Sequence, residues 1–292
     1  MEFRTIVDVE EPGFRIGPCE EMLFVGSCFA DSIGQRFREE GFPVTVNPYG
    51  VMYNPASILH TIQRLATQGD GSFVRSFADI TKEPSPCVAF LTLGTSHVYR
   101  LKESGEIVDN CQKRPQALFT EEELTVDECA EYLQKAIDLL RQMNPDIRIV
   151  LTVSPIRYRK YGYHGSQLSK ATLLLAADKT CHGSVVYFPA YEIVNDELRD
   201  YRFYKPDMLH PSEQAVDYIW ERLVETCFSA EAKTFLQEWA PLKAVLNHKP
   251  FDPDSEEYHA LMDKTMLKVA ALKKKYPTFA IELKNSRIEE LK

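Results

Sequence analysis

A chain of 292 residues has room for one large domain or two modest ones. It is 44% hydrophobic and 26% charged, an ordinary globular balance that excludes wholesale disorder and a disulfide-dense mini-protein. Thirty-four basic against 43 acidic side chains leave a net charge of −9, which argues against general nucleic-acid binding, where Lys and Arg must neutralise phosphates.

No apolar run approaches the roughly 20 residues of a membrane helix. The N-terminus, MEFRTIVDVEEPGF, lacks the basic start and long apolar stretch of a signal peptide. Seven cysteines, at 19, 28, 87, 111, 129, 181 and 227, form no C-x-x-C pair. An odd count at irregular spacing points to a reduced, cytoplasmic protein without a paired-cysteine zinc site.

Short apolar runs alternate with amphipathic stretches, the pattern of a parallel α/β sheet. Met22–Val25 reads as a strand ending at Gly26. A helix is expected over 28–40, because Phe29, Ile33 and Phe37 recur every four residues and Gly41 is a natural stop. A second strand, Pro43–Val46, leads into Asn47-Pro48-Tyr49-Gly50, and Asn54-Pro55 opens a helix to about Leu65. Residues 66–86 read as a polar connection. Val88–Leu93 reads as a buried strand ending at Gly94, and a weaker edge segment or hairpin follows over 97–108. Thr120, followed by three glutamates, predicts a helix start, with a helix or helix pair continuing to Met143. Ile147–Val153 is a β-branched strand ending at Ser154-Pro155. A helix over about 166–178, a last core strand over Val185–Phe188 and a long helix from Pro211 complete the main domain. Composition shifts near Ala240-Pro241. The tail, 241–292, reads as a helical extension packed on the rest, with Met262, Met266 and Val269 at helical spacing.

In an open parallel sheet, ligands gather at the carboxyl ends of the strands. Those ends carry Gly26-Ser27-Cys28, Asn47 to Gly50, Gly94-Thr95-Ser96-His97 and Ser154-Pro155. Asp207-Met208-Leu209-His210-Pro211 precedes the last core helix. A carboxylate three residues before a histidine can bind one ring nitrogen and free the other as a base. Each piece alone also has an ordinary reading: Ser27 and Asp207 both suit helix caps, and His210 suits a loop. Arg157-Tyr158-Arg159-Lys160-Tyr161 suits either an anion site or a solvated loop. The remaining histidines make no metal-ligand spacing.

Taken together, Gly26-Ser27-Cys28-Phe29-Ala30, Asn47-Pro48-Tyr49-Gly50, Tyr53-Asn54-Pro55, Gly94-Thr95-Ser96, Ser154-Pro155 and the stretch Tyr201-Arg202-Phe203-Tyr204 through His210-Pro211 resemble the GSCFA family, related to the SGNH (GDSL-like) hydrolases. The resemblance covers roughly residues 20–240. It implies a flavodoxin-like three-layer α/β/α sandwich around a five-stranded parallel sheet, carried by residues 1–240, with the helical extension beyond. It also implies an esterase or O-acyltransferase acting on a small-molecule or carbohydrate acyl ester, with coenzyme A as an acyl donor in the second case. No metal or redox cofactor is implied.

Aligned residue by residue, the usual Gly-Asp-Ser block falls on Gly26-Ser27-Cys28, so that Cys28 stands where the nucleophilic serine stands. The positive end of the following helix favours a thiolate there. A one-residue shift would make Ser27 the nucleophile. Gly50 matches the glycine that lends an oxyanion-hole amide. Ser96 stands where an asparagine side chain is usual, with Asn47 and Asn54 as nearby alternatives. The last block is intact, making His210 the base and Asp207 its orienter. The departures in the first and third blocks leave a second reading, a non-catalytic carbohydrate- or acyl-binding module on the same fold.

Overall fold

The computed structural model describes residues 4–67, 88–109, 111 and 114–281. Most of the expected 66–86 connection, Cys87 and the last eleven residues lie outside them. Strand β1 (Met22–Gly26) leads into helix α1 (Cys28–Glu39), then β2 (Val44–Val46) and α2 (Pro55–Thr67). After β3 (Val88–Leu93) come three antiparallel strands, β4 (His97–Leu101), β5 (Ile107–Val108) and β6 (Phe119–Glu123). Helix α3 (Val126–Met143), β7 (Arg148–Val153), α4 (Gly162–Thr180) and β8 (Val185–Tyr187) follow. Short helical turns lie within 190–203, and α5 (Glu213–Cys227), α6 (Ala230–Asn247) and α7 (Glu256–Lys275) are the last elements among the described residues.

The main sheet is five-stranded and wholly parallel, in the order β2-β1-β3-β7-β8. Alternation along each strand divides the core into two layers. Met22 and Phe24 of β1 face α1, α5 and α6, while Leu23 and Val25 face α2, α3 and α4. The first layer is rich in rings: Phe37 packs edge-on against Trp220 at 4.8 Å and against Phe42 at 5.2 Å. The expected α/β/α sandwich is what the chain adopts.

Three boundaries differ from expectation. Thr120-Glu121-Glu122-Glu123 is not a helix start but strand β6, paired antiparallel with β4 from His97↔Glu123 to Leu101↔Phe119. The helix begins five residues later, where Thr125 and Glu128 form a reciprocal capping box. Second, α4 starts at Gly162 rather than near Ser166. Third, α6 runs unbroken through position 240, with Pro241 inside it. The last segment then folds back onto the first layer. Phe279 packs on Trp239 and Phe235, and the Ala280 N–H donates to the Gly41 carbonyl at 2.9 Å. Ile16, near the other terminus, bridges to Phe228.

Among the described residues no helix is long and apolar enough to cross a membrane, and the six cysteines there are free.

Candidate functional site

The strand order reverses direction between β1 and β3: β1 continues outward to β2, and β3 continues the other way to β7. Such a switch point opens a crevice at the carboxyl ends of the two strands. Gly26 makes the turn there. Its φ is +146°, and a Cβ would lie 2.1 Å from the Thr92 carbonyl oxygen of β3, so the two backbones meet more closely than any side chain permits. Asn47 braces the turn. Its Oδ1 accepts the Gly26 N–H at 2.8 Å, and its Nδ2 donates to Asp31 at 2.6 Å.

Ser27 caps α1. It is buried, and its hydroxyl accepts the Phe29 N–H at 3.3 Å. Cys28, the first residue of the helix, is half-buried and packs against the first core layer, with Sγ 3.7 Å from the Tyr53 hydroxyl. Its own N–H has no acceptor among the described residues, as the first amide of a helix commonly lacks.

Tyr53 is held from its backbone. Its carbonyl accepts the N–H groups of Gly94 at 2.9 Å and Thr95 at 2.7 Å, and the neighbouring Met52 N–H donates to the Gly26 carbonyl at 2.8 Å. The Tyr53 ring meets Tyr158 edge-on at 5.9 Å. Burial, with the thiol and the Asp31 carboxylate nearby, pushes the Tyr53 phenol up to about 12. The Tyr158 hydroxyl is buried without a hydrogen-bond partner among the described residues. It lies against Gly94, where a Cβ would come within 2.5 Å of it.

Beneath this corner sits Lys170 of α4, fully buried. Its Nζ donates to the Gly94 and Ser154 carbonyls, each at 2.7 Å, and so ties the end of β3 to the end of β7. Burial lowers this amine from 10.5 to about 7.

In the loop before α5, His210 Nδ1 lies 2.7 Å from Asp207 Oδ2. Asp207 Oδ1 accepts the N–H groups of Leu209 at 2.8 Å and His210 at 3.0 Å. Those bonds and the imidazole hold the Asp207 carboxyl down at about 2, so it is ionised and Nδ1 must be the donor. Nε2 is then the open nitrogen of the neutral ring. The loop is fastened to the end of β7, because the Arg157 N–H donates to the Leu209 carbonyl at 3.1 Å and its guanidinium donates to the Met208 carbonyl at 3.2 Å. Contacts thus run from the His210 loop through Arg157 and Tyr158 to Tyr53 and Cys28.

The other four sequence candidates are engaged elsewhere. The Gly50 N–H, expected in the oxyanion hole, closes a turn onto the Asn47 carbonyl at 2.8 Å. The Ser96 hydroxyl is buried against Ser169 at 3.1 Å and Glu123 at 3.4 Å, because β4 turns away from the crevice immediately after it. Asn47 braces Gly26, and Asn54 accepts the Ser57 N–H at 2.9 Å as the cap of α2. Lys170 carried no sequence expectation of a role; Tyr53 entered only as part of a family motif, and Tyr158 only within a run read as an anion site or a solvated loop. Among the described residues no group of three or more His, Cys, Asp or Glu is placed to hold a metal.

The profile of the GSCFA family matches residues 21–80 and 81–223, and that of the GSCFA domain protein, C-terminal domain, matches 239–290. The chain belongs to the GSCFA family. No curated protein matches this GSCFA chain. Solved structures similar to it include a family 3 carbohydrate esterase from Talaromyces cellulolyticus, at 9% identity and a TM-score of 0.35, covering 75% of this chain and 97% of that one. A family 3 carbohydrate esterase from Clostridium thermocellum is 12% identical with a TM-score of 0.36, covering 70% and 95%. A putative GDSL-like lipase from Parabacteroides merdae is 13% identical with a TM-score of 0.36, covering 74% and 100%.

Proposed function

We propose that this GSCFA protein makes or breaks carboxylic esters through a thioester on Cys28, with His210 as base and Asp207 as its orienter. The observation that carries the reading is the half-buried thiol on the first residue of α1, at the switch point, beside an amide with no acceptor among the described residues. Ser27, buried and capping the same helix, supports it by being engaged.

In this mechanism His210 Nε2 takes the thiol proton, and Asp207 stabilises the imidazolium. The sulfur attacks the ester carbonyl and the carbonyl pair moves onto oxygen. The tetrahedral centre then collapses to a thioester, and the departing alkoxide takes the proton back from His210. Water, or a hydroxyl of a second molecule, is deprotonated by His210 and releases the acyl group. Water makes the protein an esterase, and a sugar hydroxyl makes it an acyltransferase, with coenzyme A as one acyl donor. Tyr163 and Tyr201 are exposed residues, and exposed aromatic rings suit the apolar face of a sugar.

The test is turnover of 4-nitrophenyl acetate. Cys28→Ala and His210→Ala are expected to abolish it to a similar degree, because nucleophile and base act as a unit. Ser27→Ala is expected to keep part of it. Full activity in Cys28→Ala with loss in Ser27→Ala would return the role to the serine. Activity unaffected by any of the three would remove the covalent mechanism and leave the binding-module reading.

A further inference from the structure

The corner around Cys28 lacks the side-chain donor that the sequence suggested, since Ser96 faces α4. Another hydroxyl is already there. Tyr53 Oη lies 3.7 Å from Cys28 Sγ, on a ring whose backbone is pinned by two N–H groups from the end of β3. Once sulfur has bonded to an ester carbon, the former carbonyl oxygen lies about 2.5–3 Å from that sulfur. A donor 3.7 Å from Sγ reaches such an oxygen at ordinary hydrogen-bond length. The Cys28 N–H, with no acceptor among the described residues, lies on the same residue as the sulfur, so one oxygen can take both bonds.

The surroundings favour a donor there. The phenol stays protonated across any working pH, because burial and the adjacent thiol oppose its ionisation. Behind it, Tyr158 presses edge-on against the ring and places beside Gly94 a second, buried hydroxyl that has no partner among the described residues.

We propose that the Tyr53 hydroxyl and the Cys28 N–H together form the oxyanion hole of this enzyme, with Tyr53 taking the part that related folds give to an asparagine. The inference rests on Cys28 as nucleophile. As the thiolate forms its bond to carbon, the carbonyl pair moves onto oxygen, and the Tyr53 O–H donates a hydrogen bond to it without giving up its proton. The bond weakens again when the carbonyl re-forms and the alkoxide leaves with the proton from His210.

Two reactions of the same thiol separate this role from others. Ester turnover passes through an oxyanion, whereas alkylation of Cys28 by iodoacetamide displaces iodide and forms none. Tyr53→Phe is expected to lower kcat/KM for 4-nitrophenyl acetate by roughly 10²–10³-fold, while the alkylation rate falls by less than about tenfold. Equal losses in both reactions would mean that Tyr53 acts on the thiol alone, and unchanged turnover would mean that it does not act; either result overturns the proposal. A second variant keeps the ring shape: a fluorinated tyrosine at position 53, which ionises at lower pH, should bring an alkaline loss of kcat/KM that the wild type lacks. A wild-type pH profile in that variant would also overturn it. Failure of the underlying reading has a different signature, namely wild-type protein that still turns over ester after Cys28 has been fully alkylated.

Discussion

Replacing Lys170 by Met tests whether the rim of the sheet is held by a neutral amine. The side chain is fully buried, its Nζ bonds two backbone carbonyls, and its folded-state value is about 7 against 10.5 when free. Between those two pH values the unfolded chain holds a proton that the folded chain has released, so stability rises with pH across the window and levels off above it. The slope is about 1.4 kcal/mol per pH unit, and from pH 6 to pH 9 this one group contributes a gain of roughly 3 kcal/mol. Lys170→Met removes the titration and leaves the Gly94 and Ser154 carbonyls buried without this donor, at about 1–3 kcal/mol each. The wild type should therefore be clearly more stable than the variant at pH 9, and that advantage should shrink by about 3 kcal/mol at pH 6. Urea unfolding at several pH values, followed by the fluorescence of the buried Trp220 and Trp239, measures both. Parallel stability curves for the two proteins would refute the argument, because they would mean that Lys170 does not change protonation on folding within this range.

Asp207→Asn keeps an oxygen for the Leu209 and His210 amides but puts an NH2 group where the imidazole N–H now donates, so it should lower kcat by about 10²–10⁴ with little change in melting temperature. Because the Asp207 carboxyl lies at about 2, the wild type should show no acid loss of activity traceable to it above about pH 3; a limb at higher pH that disappears in Asp207→Asn would contradict this. Gly26→Ala drives a Cβ into the Thr92 carbonyl and strains a backbone at φ +146°. Strain alone costs about 1–3 kcal/mol, and separating β1 from β3 adds to it. Circular dichroism should record a large drop in melting temperature, and a wild-type melt would refute the packing argument.

Much of the sheet was legible because its strands are apolar runs ended by small turn residues, as in Met22–Gly26 and Val88–Leu93, and because Phe29, Ile33 and Phe37 fall on one face of α1. Thr120–Glu123 misled because an acidic run after threonine suits a helix start. Pairing with β4 overrode that local preference, with Phe119 turned inward and Glu122 meeting Arg100 at 3.0 Å. At the site, the local pieces were readable: the Gly26 turn, Cys28 at the start of α1, and the Asp207–His210 pair three residues apart. The groups that complete the corner were not. Lys170 sits on a helix, where a lysine reads as a solvent-facing residue, and only the stacking of α4 on the sheet places it under two carbonyls. Tyr53 and Tyr158 are 105 positions apart and meet because β1, β3 and β7 end on one rim. Ser96 was assigned by alignment of a motif, and the turn into β4 directs it to Ser169 instead.

The way the chain closes on itself also bears on how it is made. The far end of α1 is walled by Trp239, whose indole N–H donates to the Glu39 carbonyl, and by Phe279, with Ala280 bonded to Gly41. Strand β1 and helix α1 leave the ribosome about 200 residues before Trp239, whose side chain covers the end of that helix and lies 200 positions after Glu39. The nascent polypeptide therefore carries an unsealed aromatic patch around Phe37 and Phe42 until Phe235, Trp239 and Phe279 follow, a surface for chaperones to shield in that interval.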